Sequence, residues 1–247
     1  MATSPTAKRS KRAPAPLSPE WVQRVELLSI LLVSAGIVVF LRLAHYVGVG
    51  EVDELDRRIL LALRNASDYS DPIGPLWLEE LMRDFTALGG FGALTFLTAA
   101  TVGGLALAKK GRTALTTLGA IAGGLVLGLA LKALFDRARP DLVPHGSYVS
   151  TSSFPSGHSM LSAVTYLTLG AVLASIQTTR LLKIYVVSLA AFLTLLVGAS
   201  RVYLGVHWPS DVLAGWCAGV VWSLSVWLVT RRFQRQGTIE PEPPQED

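Results

Sequence analysis

Apolar residues along this chain fall into long stretches almost free of charge, with polar residues gathered between them. The first stretch covers residues 27–43, interrupted only by Arg42 near its end. Others follow at 85–108, 113–131, 160–177, 184–200 and 212–230, which makes six. Each approaches the ~20 residues a helix needs to cross the hydrocarbon layer of a bilayer. The expected fold is therefore all-α: a polytopic membrane protein with six transmembrane helices. Six buried helices of a soluble domain are the alternative, but stretches this apolar leave few polar faces to meet water. The first stretch follows a basic segment, as a signal peptide would. It exceeds the ~7–15 residues of a signal core, and no small-x-small cleavage site follows, so it reads as a retained span.

Residues 44–84 form the first long connection. In it Val52, Leu55, Ile59, Leu60 and Leu63 recur at helical spacing among charges. Leu76, Trp77, Leu81 and Met82 follow Pro72, Gly74 and Pro75. Both read as short amphipathic helices at the membrane interface, serving as a packed cap or as a gate for a lipid. Glycine is frequent in the second and third stretches (Gly89, Gly90, Gly92, Gly103, Gly104, Gly119, Gly123, Gly124, Gly128), which suits close helix approach in lipid.

Composition agrees with this pattern. The chain is 51% hydrophobic and 16% charged, against about 25% charged for a soluble domain. The net charge of +4 comes from basic residues flanking apolar stretches, which argues for a membrane and against nucleic acid. The single cysteine, Cys217, has no disulfide partner and no metal-ligand spacing around it. Residues 1–25 read as a disordered basic cytoplasmic tail. Residues 26–235 read as one membrane domain, and residues 236–247 as a disordered Pro- and Glu-rich cytoplasmic tail. Basic residues concentrate in both tails and in the second–third and fourth–fifth connections, whereas residues 44–84 are acidic. The positive-inside rule then places both termini in the cytoplasm. The compact single-domain layout fits a bacterial plasma membrane.

Unusual polar residues collect in the connections after the third and fifth stretches. Lys132 ends the third stretch, and Arg139-Pro140 follows seven residues later. Seven residues are about two turns, so on a continuing helix the two cations would share a face. Read alone, they also fit basic residues reaching for lipid headgroups. Pro155-Ser156-Gly157-His158 directly precedes the fourth stretch. Unpaired N–H groups at a helix start, a hydroxyl and a glycine make an anion site, and His158 adds a group titrating near neutrality. An ordinary Ser N-cap beside a surface histidine is the plainer reading. Ser200-Arg201 ends the fifth stretch, with His207 and Asp211 beyond it. If a helix starts near His207, the pair are neighbours at i and i+4, and the carboxylate fixes the imidazole tautomer. Asp211 also fits a plain acidic residue at a helix start. Arg137 and His145, close by, read as headgroup or surface residues. Taken together, the segments make an anion cage with two histidines. Its three cations, Lys132, Arg139 and Arg201, supply the charge that a metal ion supplies in other phosphoryl-transfer sites. No metal or other cofactor is expected.

These residues resemble the signature of the type 2 phosphatidic acid phosphatase family. The three parts stand here as Lys132 to Arg139-Pro140, then Pro155-Ser156-Gly157-His158, then Ser200-Arg201 with His207 and Asp211, complete and in order. The resemblance implies a metal-independent lipid phosphate phosphatase with its site on the extracytoplasmic side. It implies His207 as nucleophile forming a phosphohistidine, Asp211 orienting it, and His158 as general acid and then base. Lys132, Arg139, Ser156, Gly157 and Arg201 would hold the phosphoryl oxygens. The implied partners are the bilayer and a lipid phosphate such as phosphatidic acid, phosphatidylglycerophosphate, polyprenyl pyrophosphate or a lipid A phosphate. A phosphotransferase with the same intermediate, a vanadium haloperoxidase and a membrane transporter are the competing readings.

Overall fold

The computed structural model describes residues 19–142 and 152–236, so most of both tails and His145 lie outside the described residues; the tail expected to be disordered over 1–25 is instead helical from Pro19 onward. Helix α1 (Pro19–Gly48) starts before its apolar stretch and includes part of the basic approach. Then come α2 (Asp53–Leu61), a hairpin of β1 (Arg64–Asn65) and β2 (Asp68–Pro72), and α3 (Leu76–Leu88). The remaining helices are α4 (Phe91–Leu107), α5 (Gly111–Leu134), α6 (Gly157–Ser175), α7 (Arg180–Tyr203) and α8 (Pro209–Arg235). The fold is all-α apart from the antiparallel hairpin, which the pattern of residues did not predict.

Helices α1, α5, α6, α7 and α8 are each long and apolar enough to cross a membrane. Helices α3 and α4, which meet at 48°, are together long and apolar enough to make a sixth. The second crossing is thus not the straight run over 85–108 that hydropathy predicts. Its bend falls at Gly89-Gly90, where Gly90 is extended and caps α4. A Cβ on Gly89 would lie 2.3 Å from Val197 on α7, so the chain bends where it presses against a neighbour. The carbonyl of Leu88, left free as α3 ends, accepts the Tyr166 hydroxyl of α6 at 2.8 Å. Helix α2 is amphipathic as expected and turns Asp56 and Leu60 inward. Leu76 and Trp77 at the start of α3 are exposed, as suits the interface.

Helix α6 is the most buried of the spanning helices and packs against α5, α7 and α8. Its tightest seam is with α8. A Cβ on Gly215 would stand 2.7 Å from the Ser156 carbonyl, and one on Gly219 would stand 2.5 Å from Ala163. This small-xxx-small pair lets two backbones meet where lipid offers no hydrophobic drive between helices. Among the glycines singled out above, Gly123 and Gly124 do meet Trp222 and Val164, but Gly92, Gly103, Gly104 and Gly119 face open space. Indole groups clamp neighbours: Trp216 donates to the Thr194 carbonyl and Trp222 to the Ala120 carbonyl. This seam joins the start of α6 to the start of α8, and the ends of α5 and α7 arrive at the same end of the bundle.

Candidate active site

The fourth crossing begins with a cap. Ser156 is extended, and its Oγ accepts the Ser159 N–H at 3.4 Å and the Ser159 hydroxyl at 2.9 Å. Its own backbone N–H donates to the Asp211 carbonyl at 2.9 Å, which ties the start of α6 to the start of α8. Among the described residues, the Ser156 hydroxyl proton meets no acceptor. The preceding Phe154–Pro155 bond is cis. A Cβ on Gly157 would lie 3.3 Å from Lys132 Cε, so the glycine lets the lysine stem cross the helix start. Lys132 Nζ donates to the Ser152 carbonyl at 2.7 Å.

Arg139 does not continue α5, contrary to the two-turn expectation. The helix stops at Leu134, and Phe135 is extended with φ −123° and ψ 143°. Pro140 disfavours helix at the residue before it, and the Ser153 N–H instead bonds the Arg137 carbonyl at 2.8 Å. The extended segment still carries Arg139 into the cage. Arg139 Nη1 lies 2.9 Å from His207 Nε2 and donates to the Val206 carbonyl at 3.2 Å.

The turn from α7 to α8 places His207. Gly205 sits at φ +73°, a region that L side chains rarely adopt. A Cβ there would also strike the Arg64 guanidinium at 2.3 Å. Arg64, from the hairpin, is buried and donates to the Tyr203 carbonyl at 2.7 Å, so the hairpin braces this turn. Tyr203 reaches back to the Ile73 carbonyl, and the Trp208 indole to that of Ala138. Both side chains therefore hold the connections together. Helix α8 starts at Pro209, with Trp208 as its cap. The Asp211 carboxylate accepts the Trp208 N–H at 3.0 Å, a helix-start role as well as a histidine-facing one.

The bonds around His207 decide its tautomer. An arginine N–H only donates, so Nε2 must accept from Arg139 and the ring proton sits on Nδ1. That proton faces Asp211 Oδ2 at 3.4 Å and Ser153 Oγ at 3.2 Å. Ser153 in turn donates to Asp211 Oδ2 at 2.5 Å. Burial of the ring holds its pKa down to about 4, with Arg139 and Arg201 adding to the effect and Asp211 opposing it. At neutral pH, His207 is thus a neutral imidazole with its lone pair on Nε2.

Lys132, Arg139 and Arg201 converge near His158. His158 lies within electrostatic reach of Arg201, His207, Arg139 and Lys132. Arg201 donates to Thr86 Oγ1 at 2.9 Å, a contact between α7 and α3. Burial lowers the pKa of Arg139, against the pull of Asp211. The Nε donors of Arg139 and Arg201 are buried without a hydrogen-bond partner among the described residues. Such orphaned donors are costly unless an acceptor meets them. Two of them in one cage match the oxygens of a phosphoryl group. Among the described residues, no group of three or more His, Cys, Asp or Glu side chains is arranged to hold a metal ion.

Two participants escape the sequence reading. Ser153 links both members of the His207–Asp211 pair. Arg137, read above as a headgroup or surface residue, is instead mostly buried, with its side chain 11% exposed. Its Nη1 donates to Asp211 Oδ1 and to Ser210 Oγ, each at 2.7 Å. Its Nη2 donates to Asp53 and Asp56, each at 2.8 Å. Removing one partner from a buried ion pair typically costs about 3–5 kcal/mol, because a charge is left uncompensated.

Residues 113–235, from α5 to the end of α8, match the model of the PAP2 superfamily. The chain is 36% identical over 146 residues to phosphatidylglycerophosphatase B of Bacillus subtilis, covering 59% of this chain and 71% of that protein. It is 34% identical over 100 residues to an undecaprenyl-diphosphatase of Sulfolobus acidocaldarius, covering 38% and 44% respectively. The crystal structure of a transmembrane PAP2 type phosphatidylglycerolphosphate phosphatase from Bacillus subtilis superposes with a TM-score of 0.74 at 31% identity, over 82% of this chain and 98% of that one. Sequence and fold thus agree over the bundle that builds the cage, and the chain belongs to the PAP2 superfamily.

Proposed function

We propose that this protein removes phosphate from a membrane lipid in two displacements through a phosphohistidine on His207. The carrying observation is the tautomer of His207, whose Nε2 lone pair lies beside the orphaned donors of the cage. In the first step, Nε2 attacks phosphorus while Arg139 shifts its N–H from Nε2 to a phosphoryl oxygen. The P–O bond to the lipid breaks, and His158 donates a proton to the leaving oxygen. Positive charge developing on the imidazole is stabilised through Nδ1–H by Asp211 and Ser153. In the second step, His158 takes a proton from water as that oxygen attacks phosphorus. The P–N bond breaks, releasing inorganic phosphate and restoring His207. Lys132, Arg139, Arg201, the Ser156 hydroxyl and the Gly157 N–H offset the negative charge throughout, with no step assigned to a metal.

Similarity to a phosphatidylglycerophosphatase and an undecaprenyl-diphosphatase supports a lipid phosphate monoester or pyrophosphate as substrate. The coverage of the first makes phosphatidylglycerophosphate the leading candidate. A cage at the helix ends suits a phosphate held at headgroup depth. The loop charges support a location on the extracytoplasmic face of a bacterial plasma membrane, with both termini cytoplasmic. Phosphate release by detergent-purified protein tests the reading, using a panel of phosphatidylglycerophosphate, phosphatidic acid, undecaprenyl diphosphate and lipid A. Release is expected from at least one lipid and is expected to survive EDTA. Release abolished by EDTA and restored by a divalent ion would contradict the cation cage as the source of charge stabilisation.

A further inference from the structure

We propose that Arg137 and Asp56 form one positioning unit for the Asp211–His207 pair, so that helix α2 helps set the reactivity of His207. The inference rests on the phosphohistidine reading above and concerns residues outside the matched signature.

The two oxygens of Asp211 are held from different sides. Oδ2 faces His207, Ser153 and the Trp208 N–H. Oδ1 takes Nη1 of Arg137. A carboxylate held at both oxygens cannot rotate away from the imidazole, and the same Nη1 also grips Ser210 beside it. The guanidinium is itself fixed by Asp56, which is 3% exposed. Asp56 accepts the Ser210 N–H at 2.9 Å and also the Ser210 hydroxyl. One residue of α2 thus holds both the arginine and the first turn of α8. Asp53 adds a more exposed contact to the same arginine.

Charge gives the arrangement a second consequence. Arg137 alone would neutralise Asp211 and weaken its hold on the positive charge that forms on His207. Asp56 shares the arginine, so the buried set of Asp56, Arg137 and Asp211 keeps one net negative charge beside the imidazole. Opposite charges favour the charged form of a neighbour and like charges disfavour it. His207 otherwise faces Arg139 from the segment after α5, Arg201 from α7 and His158 from α6, with Lys132 of α5 in the same cluster. The anionic set is therefore the counterweight to a crowd of cations.

The test uses full-length protein in detergent and whichever lipid the wild type dephosphorylates. Arg137→Gln and Asp56→Asn are each expected to lower kcat by about 10- to 100-fold, the scale of outer partners that orient a reactive-site ligand, with KM little changed. The acid limb of kcat/KM separates positioning from general structural damage. It is expected to move toward neutral pH in Arg137→Gln, where a cation is lost. It is expected to move further into acid in Asp56→Asn, where an anion is lost. Arg137→Lys, which keeps the charge without the fork, is expected to leave the limb in place and recover part of kcat. Thermal midpoints of all variants are read alongside; Arg137→Lys supplies the answer should a neutral variant fail to fold. Wild-type kcat in both neutral variants, or limbs moving in one direction together, would overturn the inference while leaving the phosphatase reading intact. No release by wild type would remove both.

Discussion

Replacing His207 with alanine is expected to lower phosphate release by about 10,000-fold or more, with the protein still folded. Losses of that size are typical when the nucleophile itself is removed. Among the described residues, no other imidazole has its Nε2 beside Arg139 and its Nδ1 beside Asp211 and Ser153, as His207 does. The same geometry fixes a pH signature. A protonated imidazole has no lone pair to attack phosphorus, and burial of His207 holds its pKa down to about 4. The sign follows directly, because a lowered pKa keeps the reactive form present at all higher pH. The His207 limb of kcat/KM therefore falls only as pH drops through about 4, well below the ordinary histidine range. Steady-state kinetics between acid and neutral pH, on wild type and His207→Ala, check both statements.

His158→Ala is expected to lower lipid dephosphorylation by about 100- to 10,000-fold, the usual worth of a positioned acid or base. The loss should depend on the leaving group. A lipid alkoxide needs a proton as it departs, whereas nitrophenolate does not. With p-nitrophenyl phosphate the variant is expected to form phosphoenzyme at near wild-type rate and then stall. The second step still lacks the base that activates water. Stopped-flow absorbance would show this as a burst of nitrophenolate followed by slow turnover. An equal loss on both substrates, without a burst, would mean that His158 positions the phosphate rather than moving a proton.

Much of the site was legible because its parts are local. Pro155-Ser156-Gly157-His158 lies at one helix start, and the approach of His207 to Asp211 follows from a single turn. Hydropathy likewise found the apolar cores of all the crossings. It missed the bend at Gly89-Gly90, where Gly89 packs against Val197 of another helix, a contact that no window of consecutive residues contains. Arg139 was expected beside the cage and does reach His207, but not by the expected route. Spacing suggested a continuing helix, but α5 ends at Leu134 and an extended segment delivers the side chain. Arg137 was misread for a related reason. Beside a membrane an isolated arginine resembles a headgroup contact, and its partners Asp56 and Asp211 lie 81 and 74 residues away. Ser153 carried no signal of its own, since a serine in a polar connection fits many roles. The hairpin of Arg64–Asn65 and Asp68–Pro72 is too short and too charged for strand periodicity to reveal it.

The central claim is a covalent bond between phosphorus and His207. Its most direct test is to quench wild type and His158→Ala during turnover of a lipid carrying radiolabelled phosphate. The label is then sought on the protein under alkaline conditions, where a phosphohistidine survives. The account predicts labelled protein, more of it in His158→Ala than in wild type. The label should map to the peptide containing His207 and be absent from His207→Ala. Unlabelled protein under conditions where wild type releases phosphate, or label on any other residue, would contradict it.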